Sequence, residues 1–183
     1  KESDNFVRID MEGSPYTQRT LDITFKLFDQ YKNVGVVIQA MLLRSESDIK
    51  ELINRGIRVR LCKGAYKEPE SIAYQKKKQV NENYVKLMKM LLKDGNYPAI
   101  ATHDEKIIEE AKKFAAENNI DRSRFEFQML YGIRRDLQVA LAKEGYNMRV
   151  YVPYGREWFP YLYRRLRERK ENFFFVLRNF FKG

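Results

Sequence analysis

Two hydrophobic periods alternate along this chain, and that alternation limits the folds open to it. Six short runs, residues 6–10, 34–40, 57–62, 99–102, 125–129 and 148–152, are mostly rich in β-branched or aromatic residues and read as strands. Between them apolar residues recur three and four apart, as on one face of a helix. In the stretch 16–31, Leu21, Phe25 and Phe28 share such a face. Ser45-Glu46-Ser47-Asp48 reads as a helix start and Asp104 as an N-cap, because short side-chain oxygens accept from the free N–H groups of a first turn. Gly56, Gly95 and Gly145 each fall between a helical stretch and the next strand, where a helix C-cap takes positive φ. Strict strand–helix alternation predicts parallel strands covered by helices. No linker or low-complexity segment interrupts it, so residues 1–183 read as one domain.

The 183 residues, 44% of them hydrophobic, suffice for a real core. A lone cysteine, Cys62, excludes an internal disulfide and fits a reducing compartment. A single histidine makes a multi-histidine metal centre unavailable, and no metal site is expected. No apolar run approaches the ~20 residues that span a bilayer. No signal peptide is visible, and the chain does not begin with Met. Thirty-five basic residues against 25 acidic ones leave a net charge of +10. That field draws anions: acidic small molecules, nucleic acid or an anionic lipid surface. The basic C-terminal stretch with Phe173, Phe174, Phe175, Phe180 and Phe181 reads either as a surface-binding helix or as a helix docked by its Phe face.

Polar side chains gather at the carboxyl ends of the predicted strands. Asp10 ends the first and Gln39 lies near the end of the second; Arg60 and Lys63 end the third. Thr102 and His103 end the fourth, Gln128 the fifth and Tyr151 the sixth. In a (β/α) barrel that rim carries the chemistry, and in a doubly wound sheet the ligand also binds there. Strand ends are wetter than strand centres in any sheet, but all six strands share the pattern. The segment Arg60-Leu61-Cys62-Lys63-Gly64-Ala65-Tyr66 adds small residues where a flat ligand or its phosphates could approach the backbone. Neither a Walker sequence nor a Gly-x-Gly-x-x-Gly fingerprint is present. Near the C-terminus Tyr161, Arg164, Arg165 and Glu168 share one helical stripe. They form either a solvated, salt-bridged face or a two-guanidinium clamp for a carboxylate or phosphate.

These segments, in order, resemble the proline dehydrogenase family in its monofunctional bacterial form. The resemblance rests on Arg8-Ile9-Asp10-Met11-Glu12, Val37-Ile38-Gln39-Ala40, the Arg60–Tyr66 segment, Ala101-Thr102-His103-Asp104, Phe125-Glu126-Phe127-Gln128-Met129-Leu130-Tyr131-Gly132, Arg149-Val150-Tyr151-Val152-Pro153-Tyr154-Gly155 and the terminal Tyr161, Arg164, Arg165 and Glu168. It implies a (β/α)8 TIM-type barrel, incomplete here, with about six βα units corresponding to family strands 3–8 and a C-terminal helix. It implies FAD-dependent oxidation of L-proline to Δ1-pyrroline-5-carboxylate, with electrons passing to a membrane quinone. A cytoplasmic location, peripheral at the inner face of the cell membrane, goes with that activity, and no nucleic-acid partner does.

By the same resemblance Arg164 and Arg165 hold the proline carboxylate and Glu168 orients them. Tyr66, Leu130, Tyr151 and Tyr161 wall the pyrrolidine ring, and the bulk of Tyr161 favours proline over hydroxyproline. Arg60 sits near flavin N5, and Asp10 is a catalytic or structural acid at the barrel mouth. Met11, Gln39, Arg60, Lys63, Gly64, Ala65, Thr102, His103 and Gln128 contact FAD.

A closed barrel has eight βα units and about 250 residues, so the first two units, and a lysine that the family places on its second strand, are expected to lie outside this sequence. Two other readings stand beside the flavoenzyme: a basic module binding nucleic acid or an anionic surface, and an inactive piece of a barrel.

Overall fold

The computed structural model describes residues 5–155. Six strands alternate with five helices among them: β1 (Val7–Ile9), α1 (Ser14–Gln30), β2 (Val34–Gln39), α2 (Ser45–Asn54), β3 (Arg58–Cys62), α3 (Lys77–Asp94), β4 (Ala99–Ala101), α4 (Glu105–Glu117), β5 (Glu126–Leu130), α5 (Arg135–Lys143) and β6 (Asn147–Tyr151). A 3-10 turn at Arg122–Arg124 leads into β5. All strands are parallel, and their spatial order is their chain order, β1-β2-β3-β4-β5-β6. The sheet curls as an incomplete barrel with β1 and β6 at its two margins.

Alternation along each strand sorts the side chains. Val59 and Leu61 of β3, Ile100 of β4 and Phe127 and Met129 of β5 turn toward the helices and are almost fully buried. They meet Leu21 of α1, Ile49 and Leu52 of α2, Tyr84, Leu87 and Met88 of α3 and Ile108 of α4 in one continuous core. Tyr84, fully buried, donates its phenol to the Leu61 carbonyl at 3.1 Å, so the core carries no unpaired hydroxyl there. Phe125, Phe127 and Tyr146 pack edge-on and tilted beneath β5, with ring centroids 5.4–5.8 Å apart.

The alternate positions turn into the concavity, and there the residues are polar: Arg58 and Arg60 on β3, Glu126 and Gln128 on β5, Arg149 and Tyr151 on β6. Register places Gln128 beside Arg149 and Leu130 beside Tyr151.

Asp104 caps α4 as expected, its carboxylate accepting from Lys106 N at 3.2 Å. Gly56 and Gly145 do take positive φ, at 71° and 84°. Gly95 does not: its φ is −80°. A Cβ there would lie 2.5 Å from the Leu91 carbonyl oxygen, so close approach to the last turn of α3 is what calls for glycine. The left-handed residue is Tyr97, two positions on, at φ 45°. No helix among the described residues is long and apolar enough to cross a membrane.

Candidate active site at the carboxyl ends of the strands

The loops after β1, β2 and β3 are tied together at the rim. The long β3–α3 loop folds back over the β2–α2 turn, with Leu43 N donating to Ile72 O and Tyr74 N to Met41 O, each at 2.9 Å. Glu68 of that loop reaches α1, where its carboxylate accepts from Ser14 N at 2.7 Å and Ser14 Oγ at 2.6 Å. Helix α1 has no acidic residue in its own first turn, so Glu68 supplies the negative charge that a helix N-terminus favours. Two residues earlier in the loop, exposed Tyr66 donates its phenol to the Glu12 carboxylate. Glu12 in turn accepts at its backbone carbonyl from Gln39 Nε2, 2.8 Å away.

Deeper in the concavity the contacts centre on Gln128. Arg60 Nε donates to Gln128 Oε1 at 2.7 Å, and the Arg60 guanidinium lies 5.6 Å from the ring centre of Tyr151. Gln128 Nε2 donates to the buried Glu126 carboxylate, which also receives a bidentate pair from Arg149 at 2.9–3.1 Å. Burial raises the Glu126 carboxyl, but the bonds from Arg149 and Gln128 outweigh it and hold the group below its ordinary value.

On the β4 side Thr102 Oγ1 accepts from Asp104 N at 3.1 Å, and Lys63 pairs with Asp104 at 2.9 Å. His103 Nε2 accepts from Leu130 N at 2.9 Å. A ring nitrogen that accepts carries no proton, so this arrangement is the neutral Nδ1–H tautomer. Met11 is buried under the β1 end, where its N–H is taken by Asp10 Oδ1 at 3.0 Å. Gly64 has φ 99°, and a Cβ there would meet Met41 Sδ at 2.5 Å. Ala65 follows it, exposed.

Most site residues expected within 5–155 stand at or beyond the carboxyl end of a strand, but Arg60 and Gln128, expected as strand ends, are the central residues of β3 and β5 and line the concavity below the rim. Arg60, Gln128 and Tyr151 form one contacting group. Lys63, Thr102 and Asp104 form a second, and His103 with Leu130 a third. Asp10 lies at the β1 margin and Tyr151 at the β6 margin. Tyr161, Arg164, Arg165 and Glu168, with the expected C-terminal helix, lie outside the described residues.

Four further charged residues in the concavity are not at carboxyl ends and escape a reading that looks only there: Arg8, Arg58, Glu126 and Arg149. Their signal is the period-two pattern itself, as in Arg58-Val59-Arg60-Leu61 and Glu126-Phe127-Gln128-Met129, where the polar partner of each apolar residue must face inward. Arg8 is the one of these with a buried, unpartnered atom. Its Nη1 is buried with no hydrogen-bond partner among the described residues. Burial pulls its pKa down to about 10, Glu126 opposes the fall, and Arg60, Arg149 and Arg58 deepen it.

A curled all-parallel sheet with covering helices and basic, hydrogen-bonding groups at its carboxyl ends defines an α/β protein of the (β/α)-barrel class. Residues 1–178 match the family model for proline dehydrogenase, and the chain belongs to that family. It is 49% identical over 97% of its length to proline dehydrogenase 2 of Bacillus subtilis and 45% identical over its whole length to proline dehydrogenase of Deinococcus radiodurans. It spans 57–60% of the length of these relatives. Among solved structures, proline utilization A from Bdellovibrio bacteriovorus, inactivated by N-propargylglycine, superposes with a TM-score of 0.84 at 33% identity. That match covers 93% of this chain and 21% of the other. Proline utilization A from Bradyrhizobium japonicum gives 0.79 at 28% identity, over 96% and 20% of the two chains.

Proposed function

We propose that this chain carries most of the catalytic barrel of a flavoenzyme that oxidises L-proline to Δ1-pyrroline-5-carboxylate and passes the electrons to a membrane quinone. The observation that carries the reading is the Arg60 guanidinium of β3 held between the Gln128 amide of β5 and the Tyr151 ring of β6 inside the concavity. A fixed cation there suits the flavin edge on which negative charge collects. The donor set fits FAD: Arg60 and Lys63 supply positive charge, Gln39, Thr102, His103 and Gln128 supply directional hydrogen bonds, and Met11, Gly64 and Ala65 supply small or apolar contact. Bound flavin supplies the hydride acceptor for the pyrrolidine ring carbon next to nitrogen. The protein's part is positioning. Tyr66, Leu130, Tyr151 and Tyr161 shape the ring site, Arg164 and Arg165 take the carboxylate as Glu168 orients them, and Asp10 serves as an acid at the mouth. A cytoplasmic protein touching the membrane where it meets quinone fits this role.

Two measurements on the full-length protein test it. A flavin absorption band after loading with FAD supports the enzyme; a colourless protein that binds nucleic acid with steep salt dependence supports the basic module instead. Arg165→Lys should raise the proline KM by at least about tenfold, because lysine cannot reproduce a bidentate fork; unchanged kinetics would remove the clamp.

A further inference from the structure

Gln128 touches two groups whose chemistry leaves it no choice of orientation. The ionised Glu126 carboxylate can only accept, so it must face the Gln128 NH2. The Arg60 guanidinium can only donate, so it must face the Gln128 carbonyl, as it does at 2.7 Å. Both ends demand the same rotation of the amide. Glu126 is 2% exposed and Gln128 4%, so water does not compete for the bond between them, while the Arg60 contact is part-buried. Arg149 grips both oxygens of Glu126, and the half-buried Tyr97 phenol bonds to the same carboxylate.

We infer that Glu126, locked by Arg149, is a positioning residue that acts through the Gln128 amide to hold Arg60 at the reaction centre. Without the carboxylate, Gln128 can turn its NH2 toward Arg60. Two donors then face each other and the guanidinium leaves its place above Tyr151. The inference rests on the proposed placement of Arg60 at the flavin.

The test uses the full-length protein loaded with FAD. Glu126 and Arg149 are replaced together by methionine, which leaves net charge unchanged and leaves no unpaired charge at the buried Glu126 position, although the Arg149 side chain is itself largely exposed. The expected result is a kcat lower by about tenfold, in the range seen when a supporting residue behind a functional group is lost, with the proline KM within about twofold of the parent. The flavin midpoint potential should move toward that of Arg60→Met. Adding Arg60→Met to the pair should then change neither quantity further, because both changes remove one interaction. A pair variant with the parent's kcat and potential overturns the inference. So does an effect that adds in full to that of Arg60→Met, since a merely structural role would be additive. If the pair variant does not fold, the isosteric Glu126→Gln protein is read by the same criteria, as its neutral amide no longer dictates which end of Gln128 faces it. Failure of the underlying reading looks different: Arg60→Met alone would leave kcat and potential untouched, or the parent would take up no FAD.

Discussion

At the scale of single residues, the site places demands that ordinary folding preferences oppose. Gly64 sits at φ 99° with Met41 against its α-carbon. Alanine would meet both a left-handed backbone and a side-chain clash, so Gly64→Ala should destabilise the fold by about 2 kcal/mol, read as a lower urea midpoint at unchanged slope. Arg8 makes the opposite case. A buried guanidinium nitrogen without a partner costs about 1–3 kcal/mol, so Arg8→Met should raise stability by roughly 1 kcal/mol after the loss of its stacking on Phe6. A thermal melt in which Arg8→Met loses stability would show that the charge is compensated. Neither residue's situation is visible in one dimension. Gly64 can be noticed as a small residue in a loop, but its φ cannot. Arg8 looks like any strand-start cation until register sets it beside three other arginines.

Secondary-structure elements were the most legible level, because each carries its own period. All six strands and the helices between them follow from the switch between spacings of two and of three to four. Boundaries shifted where ladder partners set them. Residues 6–10 shorten to Val7–Ile9, because β1 pairs only with Val34, Gly35 and Val36, and the sixth strand begins one residue earlier, at Asn147. Caps were legible when the chemistry was local, as at Asp104, and illegible when it came from afar, as with Glu68 on α1 across 54 residues. Asp104 joins the cap of α4 to the Lys63 ion pair. Burial raises its carboxyl, while Lys63 and the helix N–H groups more than offset this, leaving it below the usual aspartate value. A carboxyl depressed in the folded state stabilises above its unfolded value and loses that contribution as pH falls through the folded one. Asp104→Ala should therefore cost about 1 kcal/mol at neutral pH. In urea titrations the gap between parent and variant should close as the pH drops through the depressed value of Asp104. A gap that stays constant in acid would show that its charge contributes nothing.

At the scale of the molecule, four arginines of the described residues gather where the sheet is concave. Arg8, Arg58, Arg60 and Arg149 face Glu126 there, within a chain whose net charge is +10. Such a field speeds the arrival of an anionic dinucleotide and weakens as salt screens it. On the proposed function, association of FAD, followed by stopped-flow flavin fluorescence, should slow by roughly tenfold between low and high ionic strength; a rate indifferent to salt would mean that the arginines do not steer. The curl of the sheet was legible only through the resemblance, since strand–helix alternation suits an open doubly wound sheet equally well. The strand order β1 to β6 without a reversal is what separates the two. Strand β5 looks both ways, with Phe127 and Met129 in the helix-packed core and Glu126 and Gln128 in the concavity. Neighbouring codons in this one strand therefore answer to different kinds of selection. Descendants of such a gene can exchange the greasy set to suit a warmer or colder habitat while the intervening letters keep the polar lining as it was.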